Sequence, residues 1–454
     1  MGLGYTHPVA DQAPLTLSHL ARVRSEGSGG AFTVGLEGGG PGEVFRLDEA
    51  ALAVLTLFDG LRSPADVGAE AVRRGMPIAE ASVRGLAEAL VGAGVLVPSD
   101  NLPMRTDPEA RVHCAACGNC CHLIVGPLTD TDIARVRRLD WGSKGLEEPE
   151  DWLRTEQIDG RAERFLRHGD DDACVFLDPD NLCRIHKHFG AAEKPDACRL
   201  FPLAPVRRHG EVLVGLTYEG RGMREAGTGG GIPVAEEASL LAAVIARAGE
   251  GYPVLPEVDV GGLLWGAVTS LPAEAGAADA LGALANAVLP TLEEGEATLA
   301  SLLDDLITLA SDARDEAPTT HLRRYEQVLL DALEALRSEG VEPLEGALPL
   351  AAEGQPFLVR FIRNTVFIGE PMGRLGVAAG VAVVAITCLA ALGIARGTAA
   401  SAGQAEVGVI EAGEGLSFAV GGLRCLERID SIDGAGATLV REVLAALGGI
   451  RQGS

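Results

Sequence analysis

Cys114-Ala115-Ala116-Cys117-Gly118-Asn119-Cys120-Cys121 is the densest chemical signal in this 454-residue chain. Two-residue gaps let one tight loop wrap a cation or cluster, and they leave backbone N–H groups free to bond the sulfurs. Cys120 and Cys121 are adjacent and point in different directions, so a single tetrahedral ion could hardly use both. Cys174, Cys183 and Cys198 supply a second set. Seven thiolates exceed the four ligands of one zinc, and Cys114, Cys117 and Cys120 have the C-x2-C-x2-C spacing of [4Fe–4S] ligation, with Cys121 outside that pattern. The reading leans to an iron–sulfur cluster and keeps zinc, or one site of each kind, open. It predicts an irregular, metal-stabilised middle domain over residues 111–228, and the rest of the fold is read outward from there.

The neighbouring residues have plainer explanations. His113, His122, His186 and His188 are expected to be solvated or hydrogen-bonded rather than ligands, and Asp170, Asp171 and Asp172 read as a solvated turn. Cys388 and Cys425 stand alone, as buried small hydrophobes do. Most arginines of this region, among them Arg135, Arg138, Arg164 and Arg184, are expected in surface pairs. Arg199, directly after Cys198, is singled out as a cofactor-binding candidate that donates toward the cluster or holds a neighbouring carboxylate.

Towards the N-terminus, residues 1–30 read as flexible. Apolar-alternating runs at 31–36 and 43–47 flank the loop 37–42 and predict a hairpin. Asp48 can cap a helix over 50–58, Ser63-Pro64 opens another to residue 74, 77–91 is a third, and Val95-Leu96-Val97 follows as a wing strand. The outline over 31–98 is winged-helix-like, and the polar, Pro-containing stretch 99–110 reads as a linker. Towards the C-terminus, segments 235–249, 277–290, 294–313 and 319–338 place apolar residues three and four apart, as at Leu329, Leu330, Leu333 and Leu336, which predicts a helical domain over 229–454. Residues 375–395 carry no charge and could span a bilayer by length, but they are rich in Gly and Ala and lack an aromatic belt. A core helix is the expectation. The fold class is therefore mainly α.

Composition agrees, with 47% hydrophobic but only 4% aromatic residues, so the cores are expected to be Ala, Leu and Val on amphipathic helices. A formal charge of −26 argues against nucleic acid as a partner, since phosphate neutralisation needs a basic face. The acidity is uneven: residues 101–225 hold 18 of the 38 Lys and Arg against 22 Asp and Glu. Residues 1–13 contain no cationic segment followed by an apolar run, so the expected compartment is the cytoplasm, where clustered cysteines serve as metal ligands rather than disulfides.

Cys117-Gly118-Asn119-Cys120-Cys121, Leu128-Thr129-Asp130 with Asp132-Ile133, Cys174-Val175-Phe176-Leu177, Cys183-Arg184-Ile185-His186 and Pro195 with Cys198-Arg199-Leu200-Phe201-Pro202 resemble the CxxCxxCC cysteine-cluster family (YkgJ type). The interval from Cys183 to Cys198, with Phe357-Leu358-Val359-Arg360-Phe361-Ile362-Arg363-Asn364 further on, is most similar to its flagellin lysine N-methylase branch. That resemblance implies iron or zinc chelation and S-adenosylmethionine-dependent methyl transfer to lysine on a protein substrate. Many relatives place a further cysteine where this chain has Tyr218, which removes a thiolate from that pattern. Phe45-Arg46-Leu47-Asp48-Glu49 through Phe58-Asp59-Gly60, with Ser63 and Asp66, resembles PqqD-like domains, which bind a peptide by strand addition. No Rossmann-type cofactor loop is present, because the only Gly-rich candidate, 37–42, lies between two strands rather than opening a helix. The rival classes are a non-catalytic module in which zinc staples a domain lacking its own core, and an Fe–S redox protein.

Overall fold

Polar brackets set the first helices. Asp48 accepts the amide of Ala51 (2.7 Å) at the head of helix Glu49–Leu55, and Ser63 with Asp66 forms a reciprocal capping box on helix Pro64–Arg73. Helix Glu80–Gly92 is the third. A computed structural model places these elements and describes residues 14–18, 21–25, 32–36, 44–58, 62–76, 78–98, 103–113, 118–123, 125–158, 161–208, 211–218, 231–245, 250–251, 260–272, 275–317, 320–339, 355–369, 371–423 and 432–451. Cys114, Cys117, Cys425 and the loop 37–42 lie outside the described residues.

Strands Phe32–Leu36 and Phe45–Leu47 pair antiparallel as expected. The expected flexible N-terminus is corrected: Ala21–Ser25 adds a third strand to that hairpin, and Leu15–Leu17 pairs with Leu96–Pro98. The wing strand therefore joins the N-terminal segment and not the hairpin. Leu15 and Leu17 are fully buried in a core with Val54, Leu55, Val67, Val83 and Leu90. A three-residue strand is too short to show its alternation, so only tertiary packing reveals it.

The expected linker is likewise corrected. Strand Met104–Thr106 lies parallel to Glu211–Leu216, which forms a hairpin with Leu203–Arg208, and Arg111–Val112 pairs with Ile232–Pro233. The hairpin is buried on both faces. Val212, Val214 and Leu216 enter the main core, while Leu213 and Val206 pack on Phe367 and Ile368, which is the period-2 division of a covered sheet. Asn364 closes its end, accepting from the Leu216 amide and donating to the Leu216 carbonyl, both at 2.8 Å. Arg363, one residue earlier on helix Gln355–Ile368, grips buried Asp107 through two nitrogens (2.8 and 3.0 Å) and lies over Trp265. These strands share one core with the C-terminal helices, so packing does not divide at residue 228.

The chain is mainly helical, as expected. Helices Ala277–Val288, Leu299–Glu316 and Thr320–Glu339 realise the predicted apolar stripes. The uncharged stretch forms Val377–Ser401, with 78% of its most apolar window buried against neighbouring helices. Small residues allow that packing: a Cβ on Gly415 of helix Val409–Gly422 would collide with the Ala391 carbonyl oxygen.

Candidate metal centre

The cysteine-bearing middle, expected as an irregular, metal-stabilised domain, has an aromatic core of its own. Trp141 stacks on Phe176 (centroids 5.8 Å apart, 11° between planes) and meets Phe189 edge-on at 4.8 Å, with Trp152, Ile133, Val136 and Ile185 around them. Two hairpin strands, Leu153–Ile158 and Arg161–Leu166, and helix Asp130–Arg137 frame this core.

On that frame five thiols from four chain segments converge. Cys120 and Cys121 sit in the single 3-10 turn Asn119–His122, entered through Gly118 at φ 73°, a left-handed conformation that suits glycine. The Cys121 carbonyl accepts the Cys174 amide at 2.7 Å, tying the first set to the second. Cys183 precedes helix Arg184–Phe189 across a tight turn in which Leu177 faces Cys183, and Cys198 lies in the short helix Asp196–Leu200. All five line one cavity of about 140 Å³ together with Lys194, and the rest of its lining is mostly apolar, including Leu123, Val125, Phe176 and Ile185.

The electrostatics of this cavity are unbalanced. The Cys121 thiol donates to Cys120, which draws Cys120 down to about 6 against the pull of burial, while the same bond and burial hold Cys121 protonated. Burial, with the negative charge of Cys183 and Cys120 nearby, pushes Cys174 up to about 12. Burial also raises Cys198, against the opposing field of Lys194. Unaided, these sulfurs cannot all ionise together; a cation among them would reverse that, since metals bind thiolates and displace their protons. The soft donor set suits zinc or iron–sulfur rather than a hard cation. Among the described residues no three of these side chains already stand as a finished ligand set for one ion.

A buried ionic clamp fixes the last segment. Thr129 and Asp132 form the capping box of helix Asp130–Arg137. Asp132, 3% exposed, also accepts the Asp196 amide (2.8 Å) and Arg135 Nη1 (2.8 Å), and Arg135 donates on to the Lys194 carbonyl (3.0 Å) and pairs with the Asp196 carboxylate (3.0 Å). Burial alone would raise the Asp132 pKa, but the Asp196 amide, Thr129 and Arg135 outweigh it and hold the carboxyl below its ordinary value.

Several sequence expectations can now be placed. Arg199 turns to Asp196 (3.2 Å), a neighbouring carboxylate, and is not among the residues lining the cavity. His113, His122, His186 and His188 also stay out of the lining. Residues 169–173 form a turn in which Asp171 accepts the Ala173 amide, and Arg138 and Arg164 pair with Glu193 and Asp130 at the surface. Tyr218 is in the main core, edge-on to Phe357 and Phe361 at 5.9 and 5.3 Å, and is likewise outside the cavity lining. Lys194 and the Asp132–Arg135 clamp were not anticipated. Lys194 carried one faint signal, as one of only three lysines in a chain rich in arginine.

Residues 113–217 match the CxxCxxCC family model, described as a putative zinc- or iron-chelating domain, so this stretch is of the cysteine-cluster type. The matched span includes all five thiols of the cavity. Neither curated proteins nor solved structures gave a match.

Proposed function

We propose that the protein binds a metal centre, iron–sulfur or zinc, through Cys120, Cys121, Cys174, Cys183 and Cys198, with Cys114 and Cys117 added from the residues that precede them in sequence. The observation that supports it is the convergence of five cysteines from separate segments on one cavity. When bound, iron–sulfur would supply electron storage and zinc a closed structural site or a Lewis acid. The residues of the chain hold and orient: the aromatic core seats the cysteine turns, and the Asp132 clamp fixes the segment of Cys198.

The test is iron, zinc and acid-labile sulfide analysis with an absorption spectrum on protein purified without oxygen. Iron with sulfide selects the cluster, zinc without sulfide selects a zinc site, and neither metal overturns the proposal. Cys198→Ser should lower metal content, while Cys388→Ser, in the buried helix Val377–Ser401, should not.

The finer reading rests on sequence resemblance: S-adenosylmethionine-dependent methylation of lysine on a protein substrate, which the N-terminal PqqD-like unit would recruit. Calorimetry with S-adenosylmethionine on the metal-loaded chain tests it, and no binding at millimolar cofactor would remove the methylase assignment.

A further inference from the structure

Among the described residues Lys194 is the one cationic residue that lines the cavity. Lys187, a few residues earlier, is held by two carboxylates, Asp178 at 3.0 Å and Asp180 at 2.6 Å. Among the described residues no carboxylate pairs with Lys194, and Cys120, Cys121, Cys183 and Cys198 line the cavity with it.

Its backbone is held from outside the cavity. The Lys194 carbonyl accepts from Arg135, its amide donates to Ala191, and the amide two residues on is bound by Asp132. The clamp thus leaves the ammonium and the Cys198 thiol to face the same space.

A half-buried ammonium with no carboxylate partner is held at a cost unless anions face it. A bare cation would add repulsion to that cost, and a centre brought to zero charge by imidazoles would leave it uncompensated. A divalent ion held by four thiolates instead carries about two negative charges, and a thiolate-ligated cluster is likewise anionic.

Building on the proposed metal site, we infer that the cavity takes an anionic, all-thiolate metal centre and that Lys194 is a positioning residue that offsets part of its negative charge. Each histidine in place of a thiolate would make the centre one charge less negative, and none of His113, His122, His186 and His188 lines the cavity.

The test compares the full-length wild type with Lys194→Met, Lys194→Gln and Lys194→Arg, each purified without oxygen and checked for an intact aromatic core by the fluorescence of Trp141 and Trp152. The readout is the rate at which a chromogenic chelator strips the bound metal at pH 7 and fixed ionic strength. Met and Gln should release metal at least about tenfold faster than wild type, Arg should remain closer to wild type, and raised salt should narrow the gap. If one neutral variant loses its core, the other carries the comparison. Equal release from wild type and the neutral variants would overturn the role of Lys194 while leaving the metal site standing. A wild type without metal would overturn the site itself, and with it this inference.

Discussion

Asp132→Ala should loosen the Cys198 segment far more than it frays the helix that carries the residue. The carboxylate is 3% exposed and accepts from the Thr129 amide and hydroxyl, from Arg135 and from the Asp196 amide. Losing a charge-assisted bond costs about 1.5–3 kcal/mol and weakening a helix cap about 1 kcal/mol. Stranding a buried guanidinium would add more, but Arg135 keeps the Asp196 carboxylate at 3.0 Å. These effects are not additive, and about 3 kcal/mol is a fair working figure, equivalent to roughly a hundredfold more frequent local opening. Amide hydrogen exchange on the full chain reads this directly: residues 196–201 should lose about two decades of protection. If only residues 130–137 lose protection, Asp132 is a helix cap and nothing more, and the clamp argument fails. The sign with pH follows from the depressed carboxyl. Its stabilisation is complete above its ordinary pKa of 3.8 and is lost as the pH falls through the lower folded value, so acid should bring wild type towards the variant.

Asn364→Ala leaves the buried Leu216 amide and carbonyl unpaired, so the urea midpoint should fall by the equivalent of about 2–4 kcal/mol; an unchanged midpoint would show that the hairpin end is satisfied in another way. Arg363→Ala strands Asp107, 4% exposed, and should cost about 3 kcal/mol in the same assay, with Asp107→Asn in the Arg363→Ala background recovering part of it. Gly415→Val forces the helix pair apart at the Ala391 carbonyl and should lower the thermal midpoint by several degrees, or abolish soluble expression. Stripping the metal with a strong chelator should alter Trp141 and Trp152 fluorescence and speed exchange at the Cys174 amide bound to Cys121; no change in either would place the metal elsewhere.

The sequence was most legible where a single segment carries its own signal. Ser63 and Asp48 mark helix starts by local hydrogen bonding, and the leucines of Thr320–Glu339 mark a buried face by spacing alone. Strand Met104–Thr106 was illegible for the opposite reason: Met104 and Arg105 are exposed and no apolar alternation marks the segment, and it is a strand only because Val212, Leu213 and Val214 lie beside it. The site divides in the same way. The thiols announce themselves by spacing, whereas Lys194, Arg135 and Asp132 acquire meaning only when residues 130–135 and 194–198 are brought together. Tyr218 read as a missing ligand, yet the fold spends it on packing against Phe357 and Phe361.

The parallel pairing of Met104–Thr106 with Glu211–Leu216 has a topological consequence. The chain leaves the sheet on one strand and returns on Leu203–Arg208, two strands across, so the entire thiol-bearing excursion stands on two feet roughly 10 Å apart. Between those feet the excursion is tied down again, because Arg111–Val112 pairs with Ile232–Pro233 and Val112 enters the main core, so any stiffening on metal capture reaches the sheet and the helical core together.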